Sequence, residues 1–123
     1  MHSKNHQLNT QQQECVKACH ACADICDRCA DDMVGMDRQH DKDLMAACIR
    51  LCLDCSDICS LSARWMSRLS LSSESLCRLC ADICERCAET CERHASHHPL
   101  CGECAVECRR CAAVCRNMVG AAA

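Results

Sequence analysis

Residues 77–91 read CRLCADICERCAETC and residues 101–115 read CGECAVECRRCAAVC. In both stretches cysteine returns at alternating steps of three and four residues. The same steps run through CVKACHACADICDRC at 15–29 and CIRLCLDCSDIC at 48–59. A mean step of 3.5 residues is the spacing of one core-facing stripe on a helix in a bundle. A strand needs a period of two, so no strand is predicted.

The four stripes are Cys15, Cys19, Cys22, Cys26 and Cys29; Cys48, Cys52, Cys55 and Cys59; Cys77, Cys80, Cys84, Cys87 and Cys91; and Cys101, Cys104, Cys108, Cys111 and Cys115. With cysteine at heptad positions a and d, one flank carries Ala18, Ile25, Leu44, Leu51, Ile58, Leu76, Ile83, Leu100 and Val114. Thr90 and Glu107 interrupt it. The other flank carries Ala23, Ala30, Ala81, Ala88, Ala105 and Ala112. Most charged residues take the remaining positions, as an amphipathic helix requires. Cysteine is a poor helix former, so pattern and alanine content carry the helix assignment.

The breaks between stripes suit short connections. Gly35 to His40 is polar, with Asp41 placed to cap the next helix. Residues 67–73 are serine-rich, with Ser72 or Ser73 as N-cap. Pro99 suits the first turn of a last helix. The sequence therefore predicts helices near 10–36, 41–67, 73–97 and 99–119. Short loops make neighbours antiparallel, so the expected fold is all-α: an up-down-up-down four-helix bundle with a Cys-lined core. It fills one domain over 1–123, with 1–10 as a polar N-terminal tail.

Composition narrows the function. The chain has 123 residues, 19 of them Cys, with no Tyr, no Phe and one Trp, and a net charge of −3. There is no basic footprint for nucleic acid and no apolar run long enough for a membrane span. Met1 to Glu14 is polar and Gln-rich, with no apolar stretch and no Arg-Arg pair, so no export signal is expected and the cytosol is the expected compartment. Many cysteines in that compartment point to metal or redox chemistry rather than disulfides. An odd number of them cannot pair completely.

Four cysteine faces meeting in one bundle make a tube of thiols. Packing alone does not account for it, because leucine at those positions would stabilise more. Thiolate is the ligand class that selects Cu(I). Residues four apart on a helix lie about 5–6 Å apart at Cβ, so two sulfurs can lean onto one ion with bonds of roughly 2.2–2.3 Å. Charge favours a monovalent ion. Bare thiolates crowded in a dry core repel, and one Cu(I) per thiolate neutralises them, giving on the order of 19 ions per chain. Zinc on four thiolates would leave an excess charge of about −2 at each site. A zinc-thiolate reservoir and an iron–sulfur or thiol redox protein remain alternatives. Against iron–sulfur chemistry, no Cys here precedes Pro. Against dithiol redox chemistry, the pairs lie on continuous helix faces rather than exposed helix starts. Cys101 with Cys104 comes nearest to such a start. No catalytic residue is assigned and no enzyme is expected.

The two ends of the tube differ. Met33, Met36, Met45, His40, His94, His97 and His98 fall at one end. Extending the stripes places Met33, Met36, Met45, His94 and His98 on the cysteine face. Thioether and imidazole are neutral, weaker ligands, suited to an entry port; His94 and His98 are the stronger candidates, with Met33, Met36, His40, Met45 and His97 behind them. Trp65, Met66, Leu69, Leu71 and Met118 gather at the other end, which is expected to be an apolar plug. Leu53, Leu79 and Val106 fall on outward positions.

From Glu14 to Met118 the repeated CxxxCxxC pattern resembles the bacterial copper storage proteins, also called four-helix-bundle copper-binding proteins. The resemblance rests on CVKACHACADIC, CIRLCLDC, CRLCADICERC and CGECAVECRRC. It implies a cytosolic Cu(I) store, a homo-oligomer that is usually a tetramer of bundles, and copper entering at a His-bearing end. Copper ions are the implied partners, delivered by a copper chaperone or a small thiol. Exported members carry a twin-Arg leader and a Met-rich mouth; this sequence shows no such leader and combines His with Met at the mouth.

Overall fold

The computed structural model describes residues 7–35 and 42–122. Four helices run in order: α1 (Thr10–Val34), α2 (Lys42–Ser67), α3 (Ser73–His94) and α4 (Pro99–Ala122). There is no strand among the described residues. Each helix packs on its two neighbours in a ring, α1 on α2 and α4, α3 on α2 and α4. The sulfur contacts fix the directions. Cys29 meets Cys101 while Cys19 meets Cys115, so α1 and α4 are antiparallel. Cys48 meets Cys91 while Cys59 meets Cys80, so α2 and α3 are antiparallel. At roughly 1.5 Å per residue, the 26 residues of α2 span about 39 Å.

The heptad assignment holds along the tube. All 19 cysteines have 0% exposure. The alanine flank is buried at every position, and the aliphatic flank is buried or half-buried, sealing the seams between helices. Leu53, Leu79 and Val106 face outward, at 48%, 50% and 68% exposure. On the outer faces Arg109 makes a two-bonded pair with Glu92, at 3.0 and 2.9 Å, tying α4 to α3. Arg116 repeats this two turns further along with Glu85 and Asp82. Exposed pairs of this kind contribute little individually. No described helix is long and apolar enough to cross a membrane.

The helix ends depart from expectation in identifiable ways. Helix α1 begins with a capping box: the Asn9 side chain accepts from the Gln12 backbone N–H at 2.7 Å, and the Gln12 side chain accepts from the Asn9 N–H at 2.9 Å. Helix α3 ends at His94 rather than 97, because Pro99 disfavours helical geometry at His98 and the chain turns through residues 95–97. Ser72 is the N-cap of α3 but makes no side-chain cap bond. Helix α2 closes with the Ser70 N–H on the Trp65 carbonyl and the Leu69 N–H on the Met66 carbonyl. This is the closure that normally ends in glycine. Here Leu69 occupies the left-handed position, at φ 54°, at a cost of about 1–2 kcal/mol. Leu71, expected in the apolar plug, projects fully into solvent from this turn and takes no part in it. The expected cap Asp41, together with Met36 and His40, lies outside the described residues.

Candidate metal centre

Because every stripe faces inward, the sulfurs converge on the bundle axis. Each cysteine has another cysteine sulfur within 4.0 Å. Contacts within one helix, four residues apart, run from 3.9 to 4.0 Å, as at Cys55–Cys59 and Cys22–Cys26. Contacts between helices are as short as 3.5 Å, at Cys29–Cys101 and Cys48–Cys91. All are far longer than the roughly 2.05 Å of a disulfide, and all nineteen thiols are free.

The separations suit a soft ion. Two bonds of roughly 2.3 Å meeting at about 120° put their sulfurs about 4 Å apart, which is the spacing already present. Cysteines also gather in fours whose sulfurs lie within 4.8 Å of one another. Cys29, Cys52, Cys91 and Cys104 draw one sulfur from each helix. Cys22, Cys26, Cys55 and Cys108 form such a group, and Cys22 and Cys55 belong also to the group with Cys59 and Cys84. Shared sulfurs make the site one continuous lattice of donors. Separate four-ligand zinc sites would not need to share them.

Crowding also divides the protons unequally. The Cys101 thiol beside Cys29 holds the Cys29 thiol well below its ordinary range. The same contact pushes Cys101 up, so one proton serves two sulfurs. Cys48 is held low by donation from the thiols of Cys101, Cys52 and Cys91.

The same end carries the other soft donors. Met33 is fully buried, and the Cys101 thiol approaches its sulfur at 3.8 Å; Met45 is buried close to the core. His94 and His98 are 6% and 4% exposed, on the cysteine face as their register predicts. His94 Nδ1 lies 3.2 Å from the Thr90 carbonyl oxygen. An N–H there donates to the carbonyl and leaves Nε2 as a lone-pair donor, the arrangement that orients metal-binding imidazoles. His98 Nε2 lies 3.2 Å from Asp32 Oδ2, out of line for a hydrogen bond. Both Nε2 atoms are buried without a hydrogen-bond partner, so each has capacity for an ion. His97 is exposed on the turn between α3 and α4. The structure thus brings together the cysteines, Met33, Met45, His94 and His98. The roles of Thr90 and Asp32 are not contained in the cysteine spacing.

Comparison with known proteins follows the same chemistry. The family model for Csp, the copper storage proteins, matches residues 8–120. A cytosolic copper storage protein from Streptomyces lividans, loaded with five coppers, superposes with a TM-score of 0.83 at 31% identity, over 89% of this chain and 92% of that one. The Cu(I)-bound copper storage protein BsCsp3 gives 0.82 at 36% identity, over 89% and 99%. Metal-free copper storage protein 3 from Bacillus subtilis gives 0.79 at 37% identity, over 87% and 97%. No curated protein matches by sequence.

Proposed function

The chain belongs to the copper storage protein family, and from that premise we propose that it stores and buffers Cu(I) in the cytosol by binding many ions to thiolates inside its bundle. The observation that carries this function is the unbroken inward lattice of free sulfurs 3.5–4.0 Å apart. The cysteines are the ligands, each bridging neighbouring ions. One monovalent ion per thiolate leaves the core neutral, which a dry interior requires. His94 and His98 line the mouth, with Met33 and Met45 behind them, and neutral donors there hold an ion loosely enough to pass it inward. The chain works as a store and not as a catalyst. Copper reaches it from a chaperone or a small thiol.

Anaerobic titration of the fully reduced protein with Cu(I), against a competing chelator, tests this. The expected result is a colourless protein that saturates near one ion per Cys, about 19 per chain. Saturation at four or five ions would favour zinc-like sites. A brown protein as isolated would mean iron and sulfide.

Assembly is a further part of the function. Leu53 on α2, Leu79 on α3 and Val106 on α4 are exposed aliphatics on separate outer faces. We expect them to be covered by other copies of the chain in a homo-oligomer, a tetramer as the family resemblance implies. Sedimentation at micromolar concentration should give a single species of about four chains. A clean monomer would exclude it.

A further inference from the structure

The end of the tube away from the imidazoles carries a second set of soft donors. Carrying the cysteine steps past Cys59 reaches Ser62 and then Met66 on α2. Past Cys115 they reach Met118 on α4, and before Cys77 they reach Ser73 on α3. These residues therefore continue the stripes, in place of further cysteines. Met66, Ser62 and Ser73 are 4%, 1% and 8% exposed, and Met118 is half-buried. A cavity of about 240 Å³ opens beside Met66, Met118 and Ser73, lined also by Gln12, Glu74 and the left-handed Leu69.

An apolar plug does not account for this end. The Oγ atoms of Ser62 and Ser73 are buried without a hydrogen-bond partner, and buried hydroxyls without partners are rare unless something else satisfies them. Two thioethers on the tube register facing one cavity are the donor type that takes Cu(I) in preference to hard ions. Just inside, Cys15 and Cys77 form the terminal sulfur pair, 3.9 Å apart.

We propose that this end is a second Cu(I) site and a second, slower door: Met66 and Met118 hold an incoming Cu(I) and pass it to Cys15 and Cys77. The transfer is ligand exchange. Two copper–thioether bonds break, two copper–thiolate bonds form, two thiol protons leave to water, and copper stays Cu(I). Ser73, which lines the cavity, then donates to a new thiolate or to water there, as supporting hydrogen bonds do around metal ligands. The proposal rests on the chain storing Cu(I), and the test separates the two.

The full-length reduced protein, carrying 13C in the methionine methyl groups, is titrated anaerobically with a Cu(I)–chelator complex, and bound copper is measured in the same sample. Single Met→Leu variants assign the signals. The Met66 and Met118 methyl signals should shift as fully as that of Met33. In parallel, M66L/M118L added to H94A/H98A should slow uptake by about tenfold or more beyond H94A/H98A alone, with circular dichroism showing both variants helical. Copper uptake with Met66 and Met118 signals unmoved would make the methionines mere gap-fillers and overturn the proposal. Equal rates in the two variants would overturn it as well. If no copper were bound at all, storage itself would fail and this proposal with it.

Discussion

Replacing Cys22, Cys26, Cys55 and Cys108 together by alanine should remove about four of roughly 19 Cu(I) ions and divide the store into two compartments. These four sulfurs lie within 4.8 Å of one another. They contact each other at 4.0 Å for Cys22–Cys26, 3.8 Å for Cys22–Cys55, 3.6 Å for Cys22–Cys108 and 3.7 Å for Cys26–Cys108. Cys29, Cys48, Cys52, Cys87, Cys91, Cys101 and Cys104 remain on the imidazole side. Cys15, Cys19, Cys59, Cys77, Cys80, Cys84, Cys111 and Cys115 remain on the other. The contacts that join the two groups pass through the deleted belt, such as Cys26–Cys104 and Cys55–Cys84. Filling should therefore split into a phase at the wild-type rate, for the imidazole side, and one slower by about tenfold or more, for the far side. Each truncation leaves a small void and costs on the order of 1 kcal/mol. The variant should melt earlier but stay helical, which circular dichroism would verify. Unchanged capacity, or uptake in one uniform phase, would mean that copper does not occupy and travel along the sulfur lattice.

The bundle was legible because one residue type marks the axis. A core built from mixed aliphatics blurs its period; here the alternating steps through Cys15–Cys29 or Cys77–Cys91 leave only one face for burial, and alanine and aliphatic flanks identify its two seams. The helix ends were less legible, since they turn on single hydrogen bonds and torsions. The Asn9–Gln12 pair has capping-box spacing and could have marked the start of α1. Pro99 could have ended α3 before His98. Nothing local announces that Leu69 takes a left-handed conformation, because leucine pays a steric cost there that only the packed ends of α2 and α3 can impose.

For the site, stripe extension placed His94, His98, Met33 and Met45 inside, since burial on a helix follows register. What register cannot give is azimuth at the turn. The Thr90 carbonyl behind His94 and the Asp32 carboxylate near His98 depend on how α3 ends and how α4 enters. By composition the far end, Trp65, Met66, Leu69, Leu71 and Met118, reads as an apolar plug. The same stripe extension, applied past Cys59 and before Cys77, finds Ser62 and Ser73, which no apolar plug needs.

Replacing both His94 and His98 by alanine should slow uptake and removal of Cu(I) by about tenfold or more while leaving capacity nearly unchanged. Each imidazole is buried with no hydrogen bond at Nε2, His94 is oriented through Nδ1 on the Thr90 carbonyl, and His98 Nε2 faces the Asp32 carboxylate at 3.2 Å. They sit where the lattice ends in the closest sulfur pairs, Cys29–Cys101 and Cys48–Cys91, both 3.5 Å apart. An imidazole lone pair there can take Cu(I) from a donor before a thiol has lost its proton. Without it, the first contact waits on thiol deprotonation, and on release no neutral ligand carries the ion to a chelator. Equilibrium capacity is set by the nineteen cysteines and should fall by no more than about one or two ions. Stopped-flow transfer from a Cu(I)–chelator complex, and back to excess chelator, measures both directions. Residual flux in the double variant should pass by the methionine end. Wild-type rates in H94A/H98A, together with faster loading in a variant opened at Trp65 and Leu69, would place the main entrance at the opposite end.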